Sequence, residues 1–168
     1  ESIAFKRKPV KVNDDIIKSI NASFDFLVRF SKDKIIYGIN TGFGSLCNIR
    51  ISEADLEQLQ HNLVVSHAAG MGDVVPQEVL RIMLILKIQS LSYGYSGVRE
   101  VVVQRLVDFY NQDVLPVVFE LGSLGASGDL APLAHLSLPL IGLGEVWFEG
   151  HRQPAAEVLS KHGWQPLR

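Results

Sequence analysis

Gly122-Ser123-Leu124-Gly125-Ala126-Ser127-Gly128-Asp129-Leu130-Ala131-Pro132-Leu133-Ala134-His135 is the stretch on which the reading of this chain turns. Three glycines and several small residues run into Asp129, which suits a helix cap, and then into an apolar helical stretch from about 130 to 142. On its residues alone the segment admits three readings. A tight structural turn needs nothing beyond the glycines. A phosphate-cradling loop would use backbone amides ahead of a helix, but the Lys-Ser/Thr ending of such loops is missing and no convincing parallel strand precedes it. The third reading is chemical. Small side chains in Ala126-Ser127-Gly128 leave the backbone free to fold until the Gly128 nitrogen approaches the Ala126 carbonyl carbon. Closure with loss of two waters would give a 4-methylideneimidazole-5-one electrophile. An amide nitrogen is a poor nucleophile, so this closure needs enforced proximity, an effect that can supply about 7–11 kcal/mol.

Working outward, Asn13-Asp14-Asp15 looks like a cap with acidic first-turn residues, and Ile16, Ile17, Ile20, Phe24, Leu27 and Val28 predict a helix from about 14 to 30. Lys34-Ile35-Ile36-Tyr37 reads as a short extended piece entering the glycine-rich loop Gly38 to Ser45. Ser52 and Asp55 resemble a weak capping pair before a second helix that carries His61 and His67 and ends near Gly70. Pro76 suits a first helical position, and the apolar run Val79 to Leu91 predicts a helix buried on most sides, ending at Gly94 or Gly97. Val98 to Tyr110 reads as another helix, with Pro116 barring continuation. Val146-Trp147-Phe148, a turn at Glu149-Gly150, and Arg152-Gln153 predict a small hairpin, followed by a short helix from Pro154 to Lys161.

With 47% hydrophobic and 20% charged residues over 168 positions, the chain can bury a sizeable core. A net charge of −2, with basic residues scattered, gives no footprint for nucleic acid or anionic lipid. A small molecule or another protein chain is the expected partner. Cys47 is the sole cysteine, which excludes an intrachain disulfide and multi-cysteine metal sites and suits a reducing compartment. Glu1 to Lys11 lacks a secretory apolar core, and the longest apolar runs are interrupted by Arg81, Lys87, Gln89, Pro132, His135 and Pro139, so no membrane span is expected. A cytoplasmic protein is the default expectation.

The stretch from Gly122 to His135 resembles the signature of the histidine and phenylalanine/tyrosine ammonia-lyase family. Three further blocks agree in order and spacing. Tyr37-Gly38-Ile39-Asn40-Thr41-Gly42-Phe43-Gly44 resembles the family's tyrosine loop, Leu59-Gln60-His61-Asn62-Leu63 with Ser66-His67-Ala68-Ala69-Gly70 its substrate-selecting helix, and Gly94-Tyr95-Ser96-Gly97-Val98-Arg99 another family segment.

The resemblance implies a mainly α fold with small β elements, the N-terminal cofactor-bearing domain of an ammonia-lyase. It makes residues 1–168 the N-terminal part of a single catalytic unit whose C-terminal helical remainder is absent from this chain, so these residues alone are expected to be inactive. An exposed apolar face is expected too. The resemblance further implies that Ala126, Ser127 and Gly128 form the methylideneimidazolone cofactor, that Tyr37 is the base removing a β-proton, and that His67, Ser66 and Gly44 bind substrate. An ordinary tyrosine has a pKa of about 10, so that role requires surroundings that favour phenolate. Ser-His at positions 66 and 67 resembles the histidine branch, implying elimination of ammonia from L-histidine to give urocanate in a cytoplasmic homotetramer. The alternatives are a tyrosine or phenylalanine ammonia-lyase, or a tyrosine 2,3-aminomutase, with the same cofactor, and, in another class, a non-catalytic fragment or regulatory partner.

Other residues keep a structural reading. His61, His135, His151 and His162 lack the paired spacing of a metal-binding helix, so no metal is expected. Cys47 has no identifiable base, and Arg99 and Asp129 support the site at most.

Overall fold

A computed structural model describes residues 7–42, 49, 51–122, 128 and 130–167. Helix α1 (Asp14–Ser31) starts where the cap predicts: Asn13 is extended, and its side-chain oxygen accepts from the Ile16 amide at 2.9 Å. Ile20 points inward while Phe26, Val28 and Phe30 stay exposed, so only one side of α1 meets the core. The stretch after it forms no strand. A bend at Lys34 and turns at Tyr37–Ile39 lead to Asn40, whose side chain captures backbone polar groups that a strand would have offered to a neighbour.

Helix α2 (Leu56–His67) follows a 3-10 turn at Glu53–Asp55. Ser52 and Asp55 do pair, but with each other through side chains at 2.6 Å, and neither caps the backbone. Beyond α2 comes β1 (Met71–Val74), a strand that the sequence reading missed. Pro76 is the N-cap of helix α3 (Gln77–Ser92), one position earlier than predicted. Burial on most sides is corrected by the structure: Leu80, Leu84, Ile88 and Leu91 form one buried stripe, while Val79 and Leu86 are exposed. Helix α4 (Glu100–Asn111) packs along α3 and contributes Val103, Leu106, Phe109 and Tyr110 to the core. It ends before Pro116 is reached, where Asp113 takes a left-handed φ of 55°.

Pro116 instead sits in β2 (Leu115–Pro116), an edge strand where its missing N–H costs nothing. Next comes β3 (Phe119–Leu121), antiparallel to β1 with Met71 opposite Leu121 and Val74 opposite Phe119. Helix α5 (Leu130–Ser137) is shorter than the predicted 130–142, because Pro139 lacks the amide that would continue it and the chain tightens into a 3-10 turn at Leu138–Ile141. The hairpin β4 (Glu145–Phe148) and β5 (His151–Pro154) is as expected. Glu149 and Gly150 both take positive φ, the turn that matches strand twist. Helix α6 (Ala155–Lys161) closes the described chain, followed by Trp164, which packs on Phe109 with ring centroids 5.7 Å apart. Among the described residues the architecture is mainly helical with two small antiparallel sheets.

Candidate active site

Tyr37 stands 61% exposed on the turn between α1 and the loop that follows. What holds that turn is Asn40, which is buried. Its side-chain oxygen accepts from the Ile36 amide at 2.8 Å, and its side-chain nitrogen donates to the Lys34 carbonyl at 2.7 Å and the Ser31 carbonyl at 3.3 Å. Thr41, fully buried, accepts from the Gly38 amide through its hydroxyl at 3.1 Å. The phenol is thus presented outward by a turn whose polar groups are satisfied from inside.

A second attachment ties this turn to α2. Gln60 donates from its side chain to the carbonyls of Gly38 at 3.3 Å and Ile39 at 3.1 Å. Seven residues along the same helix lies His67, half-buried at the last helical position, with its Nδ1 2.7 Å from the Leu63 carbonyl. A carbonyl oxygen only accepts, so Nδ1 carries a proton and is committed to the helix backbone. Ser66 is exposed and its hydroxyl donates to the same carbonyl at 3.2 Å.

The third part is the junction at Gly70. The Gly70 amide donates to Nε2 of His135, on α5, at 2.8 Å. His135 is 7% exposed, its ring edge-on to Phe119 with centroids 5.2 Å apart, and burial holds its pKa below the ordinary histidine value. It therefore serves as a neutral acceptor. Gly122, at the end of β3, crosses the same residue so closely that a Cβ on it would lie 2.7 Å from the Gly70 Cα. Between Gly122 and α5 the structure describes Gly128. Its φ of 67° is left-handed, and a Cβ there would meet nothing within 4 Å, so conformation rather than crowding calls for glycine. Ala126, Ser127 and Gly44, named from the sequence as site residues, lie outside the described residues, as do Cys47 and Asp129.

The aromatic amino acid lyase family model matches residues 1–168, the whole chain. This chain belongs to the aromatic amino acid lyase family. It is 57% identical over 136 residues to the histidine ammonia-lyase of Deinococcus radiodurans, covering 81% of this chain and 26% of that protein. It is 46% identical over 166 residues to the histidine ammonia-lyase of Geobacillus thermodenitrificans, covering 98% of this chain and 33% of that one. Among solved structures, tyrosine aminomutase from Streptomyces globisporus superimposes with a TM-score of 0.90 at 32% identity, covering 99% of this chain and 31% of that one. The chain thus spans between a quarter and a third of the length of these relatives.

Of the four blocks that resemble the family, the structure joins three by direct hydrogen bonds: the tyrosine turn to α2 through Gln60, and α2 to the flank of the Ala126-Ser127-Gly128 segment through Gly70 and His135. The fourth, Gly94 to Arg99, packs the start of α4 on α1, with the Gly97 amide donating to the Ser23 hydroxyl at 3.2 Å and the Asn21 side chain to Glu100 at 2.8 Å. Sequence reasoning missed Asn40, Gln60 and Gly70 as supports of the candidate site and left His135 with a structural reading. His135 offered one signal, a polar ring on an otherwise apolar helix. Among the described residues no group of three or more His, Cys, Asp or Glu is placed to hold a metal, and no helix is long and apolar enough to cross a membrane.

Proposed function

We propose that the protein to which these residues belong eliminates ammonia from L-histidine to give urocanate. What carries this reading is the identity of 57% and 46% to proteins named histidine ammonia-lyase. In this reading Ala126, Ser127 and Gly128 supply the methylideneimidazolone, which when formed provides an electrophilic carbon that makes the substrate's amine a better leaving group. Tyr37, presented outward on its Asn40-braced turn, takes the β-proton. His67, held by its Nδ1 on the Leu63 carbonyl, binds the substrate in this reading, with Ser66 and Gly44 as the further substrate-binding residues. Residues 1–168 form the N-terminal part of one catalytic unit. The remainder of the chain and neighbouring subunits of a cytoplasmic homotetramer complete it. Large side chains left exposed, such as Tyr95 at 91%, Met71 at 67% and Leu121 at 63%, support such covering.

The test uses the full-length protein. Histidine should yield urocanate absorbance and tyrosine little or no coumarate, and turnover of tyrosine alone would overturn the substrate assignment. Ring formation with loss of two waters lowers the intact mass by about 36 Da, the product of proximity-driven closure. An unmodified mass would reject the electrophile, and Ser127→Ala should abolish both the deficit and most of the activity.

A further inference from the structure

We propose that Gly70 and His135 are a positioning pair, fixing both flanks of the Ala126-Ser127-Gly128 segment to the end of the helix that carries His67. The proposal rests on the electrophile reading above and names residues which that reading does not use.

Three observations converge on one backbone position. Upstream of the segment, Gly122 crosses Gly70 at a separation that leaves no room for a Cβ: one on Gly122 would lie 2.7 Å from the Gly70 Cα and 3.2 Å from the Gly70 nitrogen. Downstream, His135 on α5 accepts the Gly70 amide proton at 2.8 Å. Gly70 itself has no space for a side chain, since a Cβ there would lie 2.8 Å from His135 Nε2 and 3.0 Å from its Cδ2. Gly70 is not among the residues with positive φ, so its glycine identity answers to this crowding and not to backbone conformation. The contact joins residues 65 positions apart, and His67 lies three residues before it.

Closing a ring through an amide nitrogen depends on how the flanking backbone is held. Here both flanks meet at one residue, which sets the span that the segment must bridge. The same residue ends the stretch that begins at His67, so it also registers the proposed substrate histidine against the electrophile. A histidine is suited to the downstream contact because its buried, uncharged ring offers a single aimed acceptor, which an apolar side chain cannot do.

Full-length wild type, Gly70→Ala, His135→Phe and His135→Gln are compared by melting temperature, intact mass, kcat and KM. Glutamine places its side-chain oxygen near where Nε2 stands and can accept from Gly70, whereas phenylalanine keeps the ring and removes the acceptor. We expect Gly70→Ala and His135→Phe to lose about tenfold or more in kcat, as a misplacement of an ångström or less does. The fraction of molecules bearing the two-water deficit should fall with it, and His135→Gln should recover both. If His135→Phe is not recovered folded, His135→Asn, whose amide falls short of Gly70, takes its place against His135→Gln. A full deficit with wild-type kcat and KM in all variants, only the melting temperature being lower, overturns the proposal and leaves His135 as packing. Absence of the deficit in wild type overturns the electrophile reading instead.

Discussion

Replacing Asn40 with alanine should loosen the turn that carries Tyr37 while leaving the helical core intact. The side chain makes three hydrogen bonds to backbone: from the Ile36 amide at 2.8 Å, to the Lys34 carbonyl at 2.7 Å and to the Ser31 carbonyl at 3.3 Å. Alanine leaves all three backbone groups without that partner. Lys34 is exposed and Ser31 and Ile36 are only half-buried, so water can reach them, and the lower end of the usual penalty applies. Counting about 1 kcal/mol for each of the two short bonds and about 0.5 for the long one gives about 2.5 kcal/mol. Local opening of the turn becomes easier by that amount, which corresponds to roughly sixtyfold faster exchange at the Ile36 amide. Hydrogen exchange on the full-length protein reads this directly, with the Leu106 amide of α4, deep in the core, as the unchanged reference. Asn40→Asp should be no better. It keeps an acceptor for Ile36 but turns a carboxylate toward two carbonyls that need donors. Ile36 exchange within a few-fold of wild type in the alanine variant would refute the account of Asn40 as the brace of the Tyr37 turn.

His135 should make stability fall on the acid side. Its folded pKa lies below the unfolded value of about 6.5, so its contribution is complete above that pH and is lost as the pH falls toward the folded value, at up to about 1.4 kcal/mol per unit. Comparing unfolding of wild type and His135→Phe between pH 7 and 5 should show a steeper decline in wild type; equal slopes would show that the ring is not held neutral. Arg81 pairs with Asp113 at 2.9 Å, so Asp113→Ala should cost about 2–3 kcal/mol and Arg81→Met nearer 1, because the first strands a guanidinium that is 6% exposed, whereas the second leaves a carboxylate that is 44% exposed, can hydrate and keeps Arg7 at 3.4 Å. Chemical denaturation midpoints in the reverse order would contradict this. Phe109→Ala, emptying a fully buried site against Trp164, should cost about 3–5 kcal/mol and lower the melting temperature accordingly.

Elements whose signals are local were readable from the residues themselves. Asn13 accepts from Ile16 as its cap position implies, and the β4–β5 hairpin follows from Glu149-Gly150. What escaped depends on partners far along the chain. The strand at Met71–Val74 exists because Phe119–Leu121 lies beside it, and nothing in Met-Gly-Asp-Val alternates to announce that. Lys34 to Tyr37 has the β-branched look of a strand, yet Asn40 outbids any ladder for its backbone groups. The apolar run of α3 says nothing about how many of its sides find neighbours, and here one stripe does. For the candidate site, family-like blocks mark the candidate residues, but the hydrogen bonds that join them run from Gln60 to Gly38 and Ile39, 22 and 21 positions away, and from Gly70 to His135, 65 positions away.

The junction at Gly70 also bears on the order of events in the life of the chain. The contacts that fix the flanks of residues 123–129 cannot form until residues 65 positions apart have met, so any bond-making that depends on them must wait for the tertiary fold. On that reading the loss of water is a timestamp. A molecule lighter by two waters has already folded, and the mass distribution of a freshly made sample would record, molecule by molecule, how far assembly had gone.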